Sequence, residues 1–87
     1  MARYRILAWR GLPVQIKVRD EGRRPLSVAL SDRWLQEIDR VAMAEGLVGS
    51  DDYLDGWQWS PEAERPGSAQ EVAGALVAEL EASWESR

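Results

Sequence analysis

The stretch YRILAWRGLPVQIKVRD, residues 4–20, decides the fold. Two runs alternate apolar with polar or basic residues on either side of Gly11-Leu12-Pro13, the pattern of a β-hairpin. The first strand is expected over about Arg3 to Arg10 and the second over about Pro13 to Arg19. Pro13 has no N–H to donate, which suits the start of a strand. Side-chain alternation puts Val14, Ile16 and Val18 on one face of the second strand and Gln15, Lys17 and Arg19 on the other. The first run carries apolar side chains on both faces. Turn length sets the register. A two-residue loop brings Arg5, Leu7 and Trp9 beside Val18, Ile16 and Val14, whereas a three-residue loop brings Ala8 and Ile6 beside Ile16 and Val18. One residue of slip exchanges the faces, and the two-residue register is favoured because it buries the larger Trp9.

Beyond the hairpin, DEGRRPLSVAL (residues 20–30) reads as a loop with a basic tip and Pro25, followed by a short extended piece over Leu26 to Leu30. Ser31 is a good helix N-cap, and Asp32 is favourable in a first turn. The helix should run to about Glu45 and stop at Gly46, which tolerates positive φ. Leu35, Ile38, Val41 and Ala42 form its inner stripe with Trp34 at the margin. Arg33, Glu37, Asp39 and Arg40 face outward, and Arg33 can pair with Glu37 one turn on. Ser50 caps a second, shorter helical turn, with Tyr53 and Leu54 inward and Gly56 at its end. Trp57 and Trp59 alternate with Gln58 and Ser60, as in a third short strand. Residues 61–67, with Pro61, Pro66 and Gly67, read as a loop. Ser68 and Glu71 have capping-box spacing at the head of a last helix over 68–85. Its stripe is Val72, Leu76, Val77 and Leu80, extended by Ala73 and Trp84. The reading is one α+β domain over residues 1–87, with its core in 3–60. A small antiparallel sheet of about three strands carries two helices on one face, in a partly ferredoxin-like order.

Composition removes whole chemistries. The chain has no cysteine and no histidine. Thiolate nucleophiles, disulfides, iron–sulfur ligation, imidazole acid–base catalysis and the common zinc and copper sites are therefore excluded. No apolar run is long enough to span a bilayer. The run after Arg5 is broken at Arg10, so no signal-peptide core is expected and a cytoplasmic location is the default. No nucleophile with an adjacent base and no glycine-rich phosphate loop appears. Asp51, Asp52 and Asp55 do not follow a calcium-loop spacing, and the first two suit a helix start. No metal or cofactor is expected. Of the five tryptophans, Trp34, Trp57 and Trp59 are expected in the core, while Trp84 stands open between capping the core and touching a partner.

The net charge of −4 is unevenly distributed: residues 1–24 hold seven cations against two acids, and residues 25–87 hold four against thirteen. Either the two halves neutralise each other in the fold or the basic hairpin meets an anionic partner. The acidic total and the lack of a recognised motif weigh against nucleic acid. The candidate partner-binding residues are Arg5, Lys17, Arg19, Arg23 and Arg24.

The segments YRILAWR (4–10), IKVRD (16–20), RRP (23–25) and DYLDGW (52–57), in this order and spacing, resemble the small virulence factor domain family of bacterial proteins. The resemblance covers about residues 4 to 57 and leaves the segment from about Ser60 onward outside. Arg5, Trp9, Lys17, Arg19, Arg23, Arg24 and Pro25 match its recurring pattern. It carries over no catalytic residue. It implies stand-alone chains, or a domain at the C-terminus of larger helical-repeat proteins, that do assembly or adaptor work. The expected function is a non-catalytic accessory subunit, including a small subunit of a larger enzyme, that binds an acidic protein surface. The alternatives are a domain holding a small phosphate or carboxylate ligand, and a module that self-associates through a sheet edge.

Overall fold

The computed structural model describes residues 1–86. The hairpin forms as β1 (Ala2–Trp9) and β2 (Leu12–Asp20), and β3 (Leu26–Ala29) continues the meander. Then come α1 (Asp32–Ala44), α2 (Asp51–Asp55), β4 (Trp57–Trp59), β5 (Ala63–Arg65) and α3 (Ala69–Ala82), with a 3-10 turn over Ser83–Ser86. The fold is α+β, and its sheet has five strands in the order β3-β2-β1-β4, with β5 also paired to β1. All pairings are antiparallel. β3 and β4, the strands on either side of α1, lie at the two edges and run in opposite senses, so no β-α-β crossover of a ferredoxin-like arrangement forms. β4 and β5 lie end to end along β1, and Ser60 between them closes the gap. Its hydroxyl accepts from Ile6 N–H at 2.8 Å, and its own N–H donates to the Ile6 carbonyl at 2.8 Å.

The hairpin register departs from the favoured reading. Trp9 pairs with Leu12, so the turn is Arg10-Gly11, one residue earlier than Gly11-Leu12. Both turn residues have positive φ, 48° and 85°, the conformation whose twist matches the flanking strands. Leu7 pairs with Gln15 and Ala8 with Pro13, which leaves Val14 as an unopposed bulge. The bulge returns Ile6 to face Ile16 and Tyr4 to face Val18. The face of β1 that packs beside Ile16 and Val18 is thus Ala2, Tyr4 and Ile6, not Arg5, Leu7 and Trp9. The carbonyl of Val14 accepts the Leu30 N–H at 2.9 Å.

Because of the bulge, the apolar residues fall into two clusters. Ala2, Ile16 and Val18 pack against Ala69, Val72, Ala73 and Leu76 of α3, with Tyr4, Ile6, Val28, Val77 and Leu80 at the margin. Trp9, fully buried, packs with Ile38 and Ala42 of α1 and with Leu12, Val14, Val41, Leu47, Tyr53 and Trp57. Val14 therefore parts from Ile16 and Val18. The Trp9 indole N–H donates to the Tyr53 carbonyl at 2.8 Å. Gly56 lies against that ring, where an added Cβ would come within 2.4 Å of the indole nitrogen. Only glycine fits there.

α1 keeps Ile38, Val41 and Ala42 of the expected stripe inward, with Trp34 in place of Leu35. Trp34, Ile38 and Ala42 are buried, while Leu35 is 46% exposed. Leu54 and Trp59, also expected inward, are 65% and 39% exposed. α3 begins with the expected capping box between Ser68 and Glu71, and Asp20 Oδ1 accepts the Ala69 N–H at 3.0 Å. Its far end is fastened to α1 by Glu81. That carboxylate accepts from Ser31 N–H at 2.7 Å, Ser31 hydroxyl at 2.8 Å, Trp34 indole N–H at 2.8 Å and Arg33 at 3.1 Å. Partial burial pushes its pKa up, but the donors from Ser31, Trp34 and Arg33 outweigh burial and hold it down at about 2. Trp84 meets Trp34 edge-on at 5.0 Å, and Arg33 lies 4.9 Å over the Trp84 ring. Trp84 thus caps the core.

Candidate interaction surface

Cross-strand partners share a face of a sheet, so the register assigns the open side. Opposite the α3 side stand Arg3, Arg5 and Leu7 on β1 and Gln15, Lys17 and Arg19 on β2. Trp59, paired with Leu7, joins them from β4. Lys17 Nζ lies 5.4 Å from the centroid of the Trp59 ring, a cation–π contact. Arg3, Arg5, Lys17 and Arg19 line one shallow depression of about 220 Å³ with Tyr4, Val18, Pro25 and Glu62.

The charges on this side differ in their company. Glu62 reaches Arg19 at 3.3 Å and Arg3 at 3.7 Å, and Glu64 reaches Arg3 at 3.3 Å. Elsewhere on the hairpin, Arg10 pairs with Glu45 at 2.8 Å. Three hairpin cations are therefore neutralised by the acidic part of the chain. Among the described residues, Arg5, Lys17, Arg23 and Arg24 form no ion pair.

The five candidate residues do not form one site. Arg5, Lys17 and Arg19 converge on the open sheet face. Arg23 and Arg24 sit in the turn between β2 and β3, where Arg23 N–H donates to the Asp20 carbonyl at 3.1 Å. They line a separate depression of about 280 Å³ with Asp20, Leu26, Ser68, Ala69 and Gln70. Sequence reading missed Arg3 and Trp59 as members of the face. The alternation Arg3-x-Arg5-x-Leu7 placed Arg3 there, but Trp59 joins only through its pairing with Leu7. A larger depression, about 630 Å³, lies between the hairpin turn and the end of α3. Its walls are mainly apolar or uncharged (Ile6, Ala8, Pro13, Gln58, Leu80, Ser83), and it gathers no cluster of charge.

No helix is long and apolar enough to cross a membrane among the described residues. A family model described as "Virulence factor" matches residues 7–87. The match takes in β4, β5 and the whole of α3, a longer span than the resemblance over residues 4 to 57. No curated protein and no solved structure matches the chain.

Proposed function

We propose that this chain, which belongs to the virulence factor family, is a non-catalytic accessory or adaptor protein of the cytoplasm. It binds a larger bacterial protein or enzyme complex through the open cationic face of its sheet. The observation that carries this reading is the Arg5–Lys17 pair. The two stand directly opposite on adjacent strands, exposed and without a carboxylate among the described residues, beside the exposed ring of Trp59. A like-charge pair in that position opposes strand pairing, so it persists at a cost that an anionic partner would offset. Arginine suits such a contact because its planar fork grips a carboxylate with two hydrogen bonds. Affinity purification from the native host, first in low and then in moderate salt, tests the reading. A stoichiometric partner lost as salt rises is expected; absence of any partner at either salt would contradict it.

A second reading, a small-anion site, has one observation in its favour: four cations line the same depression. At about 220 Å³, however, that depression is smaller than the pockets of roughly 300 Å³ and upward that enclose small ligands. A thermal-shift screen of phosphates and carboxylates separates the two, since a ligand site gives a saturable rise in Tm.

A further inference from the structure

Two like-charge rungs cross the open face, two residues apart, and they are treated differently. Arg3 stands opposite Arg19, and Arg5 stands opposite Lys17. On the first rung the chain supplies its own remedy. Glu62, from the segment joining β4 to β5, reaches over β1 and pairs with both arginines, its Oε2 accepting from Arg19 at 3.3 Å and its Oε1 lying 3.7 Å from Arg3. Glu64, the register partner of Arg3, adds a second carboxylate at 3.3 Å. On the second rung no carboxylate lies within bridging distance among the described residues, and Lys17 has only the Trp59 ring. The first rung is therefore an internal template for what the second lacks.

We infer that the Arg5–Lys17 rung seats an aspartate or glutamate of the partner protein, held between the two strands as Glu62 is held between Arg3 and Arg19. This rests on reading the open face as the partner-binding surface. The neighbouring rung adds a second requirement. Two residues along β1, about 7 Å on at strand spacing, Leu7 faces Gln15 and pairs on its other side with Trp59. Trp59 is 39% exposed. The occupant is an extended acidic segment with an apolar side chain two residues from its acid, the acid on the rung and the apolar group on Leu7 and Trp59. Ordinary alternation in an extended chain places both side chains on one side. A free phosphate satisfies the first requirement and leaves the second unmet.

The test is an NMR titration of the isotope-labelled full chain with an end-blocked hexapeptide, Gly-Glu-Thr-Leu-Thr-Gly, against its glutamine counterpart and inorganic phosphate. Saturable shifts at Arg5, Lys17, Leu7 and the Trp59 indole N–H are expected for the glutamate peptide. Binding should be about tenfold weaker for the glutamine peptide, and phosphate should leave the Trp59 indole unmoved. Equal response to both peptides, or a phosphate response matching that of the glutamate peptide, would overturn the inference. A second arm places the missing carboxylate in the chain. Ser27 is the register partner of Lys17 on β3. Ser27→Glu should therefore raise Tm by a few degrees over Ser27→Gln, with the gain vanishing at high salt, and should weaken the peptide. No gain and unchanged peptide binding would also overturn it. The parent reading is judged separately. If partner capture from the host fails with Arg5→Glu/Lys17→Glu while the peptide arms are negative, only the carboxylate rung is lost. If capture persists, the face itself is the wrong surface.

Discussion

The two sides of the hairpin sheet are built from alternate residues of the same two strands, yet they follow opposite rules. On one side Ala2, Ile16 and Val18 are fully buried under α3. On the other, one residue out of step, Arg5 and Lys17 are exposed and form no ion pair among the described residues. Apolar burial is the main favourable term in folding, whereas exposed charges contribute little either way. Stability therefore belongs to the α3 side and the Trp9 cluster, and the open side is where we propose recognition occurs. Substitutions on the two sides should separate cleanly.

The largest effect on stability should come from Trp9→Ala. It empties the cluster that joins β1 to α1 and α2 and removes the donor to Tyr53, so a loss of about 3–5 kcal/mol is expected in chemical denaturation. Leu76→Ala, beneath α3, should cost about 2–5 kcal/mol by the same measurement. A loss below about half a kcal/mol would show that α3 does not hold the covered side.

Glu81→Ala should cost about 1–3 kcal/mol, because it leaves the indole N–H of nearly buried Trp34 without its acceptor. Its pH dependence follows from the pKa lowered from 4.5 to about 2. The folded state holds the ionised form, so the stabilisation is fully present above pH about 4.5 and is lost as pH falls toward 2. Wild-type and Glu81→Ala melting curves should converge over that interval. A constant gap across it would mean that the carboxylate charge is not what fastens α3 to α1.

The smallest effect on stability belongs to Arg5→Glu/Lys17→Glu, within about 0.5 kcal/mol of wild type. Arg19→Glu should cost somewhat more, since it breaks the bridge to Glu62 and sets two acids together. That contrast would sharpen the distinction between the two rungs of the open face.

Much of the fold was legible where local chemistry decides it. The β1 and β2 strands, the Ser50 cap, the stop at Gly46 and the capping box of Ser68 and Glu71 all follow from residue types at fixed offsets, whereas Ser31 takes the N-cap position of α1 but turns its hydroxyl to Glu81. What failed depended on partners distant in sequence. The Val14 bulge shifts register through pairing with Leu7 and Ala8, and no residue type announces it. β5, Ala-Glu-Arg between two prolines, is too short to alternate and exists only because β1 offers an edge. The stripe of α1 holds at Ile38, Val41 and Ala42, but Trp34 replaces Leu35 at its start, because Trp34 gains burial and an acceptor in Glu81 on the last helix. For the candidate site, the cations of the second strand were evident from alternation. Which of them remain unpaired was not, because Glu62 and Glu64 reach the hairpin only once β5 is in place.

The measurement that bears most directly on the account is partner capture from the native host by wild type and by Arg5→Glu/Lys17→Glu, both shown to be folded by their melting curves. The account expects the wild type to retain a stoichiometric partner at low salt and the double variant, with like charges now facing that partner, to lose it by about tenfold or more. Equal capture by the folded variant would contradict the assignment of recognition to the open cationic face.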